Sequence, residues 1–121
     1  ARVKGHHMQR GTTRLEIADH PDTVIGVVLA PQLSLGQSVS IGIAANQIAL
    51  AKQRVDDISM QNQLPGRVIK IVHAADRSIC HIQTAAGLLF VEITPGTEQD
   101  LQLTEGAAIW ALFKSRAVQR L

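Results

Sequence analysis

The chain is organised around the polar stretch Ile58-Ser59-Met60-Gln61-Asn62-Gln63-Leu64-Pro65-Gly66. Its residues 59–62 offer hydroxyl, amide and backbone donors and carry no fixed charge. Neutral N–H and O–H donors beside the start of a strand can replace the hydration shell of a small anion. A polar linker between two subdomains would have the same composition, because loops must be solvated. Composition alone therefore leaves an anion site and a linker both open.

The composition favours a small domain with an aliphatic core. The 121 residues suffice for one ordinary domain, or for two very small ones that share a core. Hydrophobic residues make up 45% and aromatic residues only 2%, so Val, Ile, Leu and Ala must build the core. The net charge is +2 and the basic residues are scattered. A nucleic-acid-binding surface would need clustered basic residues with stacking aromatics, and Phe90, Trp110 and Phe113 all lie in apolar strand contexts instead.

Several functional classes are disfavoured. Cys80 is the only cysteine, which excludes an intrachain disulfide and fits a reducing compartment. Adjacent His6 and His7 would point to opposite sides of an extended chain and have no third ligand at a suitable spacing, so we expect no metal site. No phosphate-binding loop and no evident carboxylate pair is present, so we expect no enzymatic activity in this fragment. We expect a fragment because the chain begins at Ala1 in the middle of a pattern.

Alternating and β-branched segments predict an all-β fold with many short strands, a barrel or a sandwich. We expect turns at 5–11, 19–22, 74–77 and 85–87, and Pro65 and Gly66 should close the central loop. A short helix should begin at Thr97, with Asp100 reaching back to it, and end near Leu103. The predicted strands are 2–4, 14–18, 24–30, 39–43, 48–50, 67–72, 78–84, 88–93, 107–114 and 117–118.

The order of elements before the central stretch resembles the order after it. Val3 superposes on Val68 and Ile17 on Ile82 at an offset of 65, while Gly36 superposes on Gly106 at an offset of 70. The second half thus carries roughly five extra residues near the predicted helix. Units of ~60 residues have little core of their own. We therefore predict two similar halves, 1–57 and 58–121, that pack against each other.

The second half resembles a molbindin-type module, also called a mop or TOBE domain, whose signature opens Ser-Ala-Arg-Asn and closes Lys-Ala/Ser. The resemblance is specific over 58–118 and weaker over 1–50. The duplicated layout is most similar to the C-terminal regulatory domain of the ATP-binding subunit of a molybdate importer. Five blocks carry the resemblance, at 59–63, 66–68, 91–94, 101–106 and 111–115.

The resemblance implies two pseudo-repeated OB-like barrels packed together, with a short helix in the second. It further implies a homodimer that binds molybdate or tungstate at a seam between modules, without a cofactor. The parent protein would contain an ATPase domain, associate with membrane permease subunits and lie at the cytoplasmic face of the membrane. The implied oxyanion-binding residues are Ser59, Met60, Gln61, Asn62 and Thr94, together with Lys114 and Ser115 from the partner chain.

The chemistry of the ligand fits this set of residues. Molybdate is a tetrahedral dianion with four acceptor oxygens, so it requires a cage of donors with limited positive charge. Lys114 would supply a point charge, while the neutral donors fix the orientation. A lysine at the end of an apolar strand is explained either by an anion or by contact of its ammonium group with solvent.

Two departures from the family pattern bear on function. Gln61 stands where the family has Arg, which removes a charge and a rigid donor fork. The first half has Ala44 and Ala45 where the second has Lys114 and Ser115, so we expect it to be structural. The chain would then be an oxyanion sensor of an importer ATPase, or a dimerising brace whose anion site is vestigial. A free storage protein is disfavoured, because both halves would be expected to keep the motif.

Overall fold

In the computed structural model, which describes residues 1–121, the chain forms ten short strands, one α-helix and three 3₁₀ turns. The helix α1 spans Pro95–Asp100, and the 3₁₀ turns span Met8–Arg10, Ala45–Gln47 and Ser115–Ala117. None of the helices could span a membrane. The strands are β1 (Arg2–His7), β2 (Thr12–Ile17), β3 (His20–Val28), β4 (Ile41–Ile43), β5 (Ala49–Ala51), β6 (Asn62–His73), β7 (Ser78–Thr84), β8 (Gly87–Ile93), β9 (Ala108–Phe113) and β10 (Val118–Arg120).

The strands form three sheets, and two of these sheets join the halves of the chain. One sheet has the order β1-β2-β3, and the largest has the order β5-β9-β6-β7-β8. The third pairs β10 with β4. Strands β4 and β5 from the first half thus pair with β10 and β9 from the second. Each half therefore gives its last strand to a sheet that it shares with the other half.

The strand registers support the repeat. In β1 and β2, Val3 pairs with Leu15, and a bulge follows between Val3 and Gly5. In β6 and β7, Val68 pairs with Ile82, and a bulge follows between Val68 and Lys70. The superposition of Ile17 on Ile82 is wrong by two residues, because Leu15 is the residue equivalent to Ile82. The second hairpin contains two extra residues, so the offset of 65 holds for the first strand alone.

The exchanged strands obey the offset of 70 on both sides. Ala49 in β5 pairs with Leu112 in β9. Gln119 in β10 pairs with Gly42 in β4. These two pairs are equivalent under one offset, because Gln119 lies 70 positions after Ala49 and Leu112 lies 70 positions after Gly42. Each half therefore donates its last strand to the other half by the same rule.

Helix α1 accounts for most of the extra length of the second half, and it begins earlier than predicted. Thr94 is its N-cap, with Oγ1 accepting from the Thr97 backbone N–H at 3.2 Å, and Pro95 takes the first helical position, where no N–H is needed. The predicted start at Thr97 is thus wrong. The helix also ends at Asp100 rather than near Leu103, and Gln102 beyond it has a φ of 52°.

Strand β6 also differs from prediction, because it begins at Asn62 and runs through Pro65 and Gly66. Pro65 lies opposite Trp110 and is exposed, whereas Gly66 lies opposite both Thr84 and Ile109. A Cβ on Gly66 would meet the Gln83 carbonyl oxygen at 2.7 Å. The glycine is therefore required by close packing between strands and not by a turn.

The other turn predictions were only partly right. β1 extends to His7, and β3 begins at His20 because Asp19, with a φ of 24°, completes a tighter turn than expected. Pro21 is tolerated there because β3 is an edge strand.

The core is one cluster of buried aliphatic side chains drawn from both halves. Leu15 and Ile25 of the first half pack in the same cluster as Val68 and Phe113 of the second. Cys80 is fully buried in this cluster. Burial, with a smaller contribution from the charge of Glu98, raises the pKa of its thiol to about 11. The thiol therefore stays protonated at neutral pH and acts as a packing group.

Substitution of Gly66→Ala should destabilise the fold by about 1–3 kcal/mol, because the added methyl group collides with backbone of β7 that cannot move freely. Gly5→Ala in β1 is the matched control, since a Cβ there would meet nothing within 4 Å. The control should leave the stability unchanged or raise it by under about 1 kcal/mol. Urea denaturation measures both, and equal midpoints for the two variants would contradict the packing argument.

Glu98 should make the stability depend on acid pH. Hydrogen bonds to Glu98, first from His73 (2.9 Å) and then from Ser78 Oγ (2.6 Å), lower its pKa below the ordinary 4.5. A carboxyl group whose pKa is lowered by folding stabilises the protein above its unfolded pKa, and this contribution is lost as the pH falls through the folded value.

We expect Glu98→Gln to flatten the fall of unfolding free energy below about pH 4.5, and to cost no more than about 1 kcal/mol at neutral pH. Urea denaturation from pH 2.5 to 7 measures this effect. Glu105→Gln, at an exposed position, is the control and should keep the wild-type slope. An unchanged acid limb in Glu98→Gln would show that another group is responsible.

Candidate functional site

The pairing of β6 with β9 brings the central polar stretch beside the residues that follow β9. Asn62, the first residue of β6, pairs with Phe113, the last residue of β9. Residues 59–61 and 114–116 therefore leave the sheet next to each other. Segments more than fifty positions apart in sequence meet because two strands of one sheet end together.

These two segments line a cavity of about 370 Å³, whose remaining walls come from the first half. Ser59, Gln61, Lys114 and Ser115, all predicted from the sequence, line it together within one chain. The resemblance implied that the partner chain supplies Lys114 and Ser115 to the site, and this stays a prediction; within one chain, both residues already lie beside Ser59. The other lining residues are Arg10, Gly11, Thr12, Val28 and Arg116.

The charge of the cavity is positive. Arg10, Lys114 and Arg116 line it, and no carboxylate does. The two ion pairs of the chain, His73–Glu98 and Arg77–Glu92, lie elsewhere, so none of the three cations is paired with an acidic side chain. Uncompensated cations beside hydroxyl and amide donors form an environment for an anion.

Asn62 is occupied as a structural clamp between the halves. Its buried amide accepts from the Gly26 N–H at 2.8 Å and donates to the Gly26 carbonyl at 2.8 Å. A Cβ on Gly26 would lie 3.5 Å from Ser115 Oγ, so β3 approaches the site closely. The structure therefore assigns the Asn62 side chain to the seam rather than to the cavity.

Gln63 fastens the chain just before the site. Its amide accepts from the Val55 N–H at 2.9 Å and donates to the Val55 carbonyl at 2.7 Å and to the Met60 carbonyl at 3.2 Å. Met60 is half-buried and lines, with Lys114, a neighbouring cavity of about 250 Å³. The backbone of the 59–61 segment is thus held in place by side chains of the β6 start.

Thr94 lies apart from this cluster. It follows Ile93, which pairs with Ser78, and Ser78 pairs with His73 at the far end of β6. Its hydroxyl caps α1. Eleven positions of strand separate that end of β6 from Asn62, so Thr94 does not join Ser59 and Lys114 in one chain.

Sequence reasoning missed Arg10 and Arg116. Arg116 follows Lys114 and Ser115 directly, so the adjacency was a usable signal. No sequence signal marked Arg10, because its position at the cavity depends on the 3₁₀ turn Met8–Arg10 and on the packing of the two halves. That turn ends at Gly11, whose φ of 68° is left-handed and whose carbonyl accepts from the Leu29 N–H at 3.0 Å.

Replacement of Asn62→Leu should lower the free energy of unfolding by about 2 kcal/mol or more, because both polar groups of Gly26 lose their partner. Asn46→Leu is the matched control, since Asn46 is exposed. Thermal or urea denaturation measures the difference. If the two variants were equally stable, the seam would not depend on this clamp.

Comparison with known proteins places the chain in a family. The TOBE domain model matches residues 58–119. The molybdenum import ATP-binding protein ModC of Paramagnetospirillum magneticum is 29% identical over 120 residues, which is 98% of this chain and 32% of ModC. The chain therefore spans about a third of the length of that relative.

The fold is similar to that of the cytoplasmic molybdate-binding protein ModG, in a crystal form with molybdate bound. The TM-score is 0.83 at 19% identity, over 98% of this chain and 90% of the ModG chain. This likeness confirms the predicted all-β fold of two pseudo-repeated small barrels with a short helix. The match over 58–119 covers just over half of the chain and confirms the resemblance found from the sequence. The chain belongs to the TOBE domain family.

Proposed function

We propose that this chain is an oxyanion-binding module that takes molybdate or tungstate at the seam between its two halves. The observation that carries the proposal is the cavity that Ser59, Gln61, Lys114 and Ser115 line together. Its positive charge and lack of carboxylates suit a tetrahedral dianion. The relationship to ModC and the fold shared with molybdate-bound ModG favour this ligand over other anions.

Each group in the cavity has a role that follows from its chemistry. Lys114 is exposed at the end of a buried strand, so its ammonium group can reach the ligand without being desolvated beforehand. The Ser59 and Ser115 hydroxyls are neutral donors that fix the orientation of oxyanion oxygens. The module would bind its ligand without a cofactor and without catalysing a reaction.

The relationship to ModC supports a regulatory setting. In a longer protein of that kind, the module would sense cytoplasmic oxyanion beside an ATPase domain and permease subunits at the membrane. Binding would favour one arrangement of two paired chains and slow transport. Such control requires a different ligand affinity in the two arrangements. The alternative is a brace that dimerises but binds no oxyanion.

Calorimetric titration of the chain with molybdate should show saturable binding, and Lys114→Ala should weaken it by about tenfold or more, because a charge-assisted contact is lost. Lys70→Ala, at an exposed position on β6, is the matched control and should bind as the wild type does. Tungstate should compete with molybdate, whereas sulfate should not reproduce the binding.

Light scattering of the same samples, with and without molybdate, measures whether binding accompanies chain pairing. If titration with millimolar molybdate gave no heat of binding and no thermal stabilisation, the oxyanion proposal would be contradicted. If Lys114→Ala bound as tightly as Lys70→Ala, the ligand would occupy some other place than this cavity.

A further inference from the structure

Arg10 lies at the site although it belongs to the half that the sequence suggested is structural. It lines the positive cavity together with Gln61 and Lys114. It also lines the adjoining cavity of about 480 Å³, which Gln61, Thr12 and Ser115 share. Arg10 therefore borders both cavities.

The Arg10 guanidinium holds the amide of Gln61 in one orientation. Arg10 Nη2 donates to Gln61 Oε1 at 3.0 Å. A guanidinium has only donors, so the oxygen of the amide must face Arg10. The acceptor of Gln61 is thereby occupied, and its NH₂ group is left as the free end. An amide so oriented offers donors to an oxyanion instead of a repelling carbonyl oxygen.

The charge of Arg10 is available to a ligand. Asp56 and Asp57 line the adjoining cavity together with His7, Arg14 and Arg54, yet neither aspartate forms an ion pair with Arg10. Arg10 donates one N–H to Gln61 and makes no other side-chain hydrogen bond in the structure. Its remaining donors form a planar fork of the kind that matches two oxygens of one anion.

We infer that Arg10 is an anion-binding residue of this site, and that it acts both directly and by orienting the amide of Gln61. The inference rests on the proposed function, since it concerns the same cavity. It assigns the first half a binding role: the guanidinium charge comes from that half, and the 59–61 segment contributes neutral donors. The ligand class is a tetrahedral dianion with at least two oxygens free to meet the fork.

Molybdate titration of Arg10→Gln, Arg10→Lys and Arg2→Gln tests the inference. Arg10→Gln should weaken molybdate binding by about tenfold or more, because the charge and the fork are both lost. Arg10→Lys keeps the charge without the fork and should fall between Arg10→Gln and the wild type. Arg2→Gln removes the same charge at an exposed position of β1 and should bind within about twofold of the wild type.

Urea midpoints are measured in parallel, and Arg10→Gln should match the wild type because Arg10 is exposed. If Arg10→Gln bound as tightly as the wild type while Lys114→Ala did not, the inference would be overturned and the proposed function would stand. Equal weakening in Arg2→Gln would reduce the effect to net charge and overturn it as well. Arg10→Lys binding as tightly as the wild type would overturn the role of the fork. If the unmodified chain does not bind molybdate, both proposals fail.

Discussion

Each half of this chain pairs its last strand with a strand of the other half, and the rest of the structure depends on that exchange. β5 closes the edge of the large sheet at β9, while β10 pairs with β4. A half of about 60 residues buries too little surface to be stable alone. Exchange joins the two aliphatic cores into one cluster and covers strand edges that would otherwise be exposed. It also forces the segments that precede β6 and follow β9 into the seam.

The seam is where polar chemistry can be placed without disturbing the core. The Asn62 amide satisfies both backbone groups of Gly26, and Gln63 does the same for Val55. These amides are buried or half-buried, and each is hydrogen-bonded through both its oxygen and its nitrogen, so they order the wall of the cavity. The donors left over are those of exposed side chains such as Ser59, Gln61 and Lys114. The central stretch therefore contains amides that hold the backbone in place and exposed side chains whose donors stay free, which leaves the cavity open but its wall ordered.

The sequence predicted the strands and the duplication well because both depend on local periodicity and turn residues. It misplaced features that depend on tertiary packing. Pro65 and Gly66 are typical of a turn, yet Gly66 is required by the approach of β7. Thr97 suits a helix start, but Thr94 and Pro95 together provide a better one. The division at Ile58 stays a prediction, since strand exchange blurs any boundary between the halves.

The site residues divide in the same way. Ser59, Gln61, Lys114 and Ser115 were found from a motif, and the pairing of β6 with β9 brings them together. Thr94 belongs to the same motif but lies at the other end of the sheet. Arg10 lies outside the motif, and no local pattern marks it. A charge that reaches a site across a seam between two packed halves leaves no trace in local sequence.

The pseudo-symmetry of the fold shows how the place of the proposed anion site differs from its equivalent in the other half. Thr12 pairs with Val28 in the first half as Ile79 pairs with Glu92 in the second, so Glu92 is equivalent to Val28. Arg10 and Arg77 each lie two residues before these strand positions and are equivalent as well. There the guanidinium is neutralised by a carboxylate at 3.1 Å, whereas Arg10 has no acidic partner. Ala44 and Ala45 replace Lys114 and Ser115, so that place also lacks the lysine charge and the serine hydroxyl. The backbone repeats, but the uncompensated charge does not, and this difference is what the proposed binding of a dianion depends on.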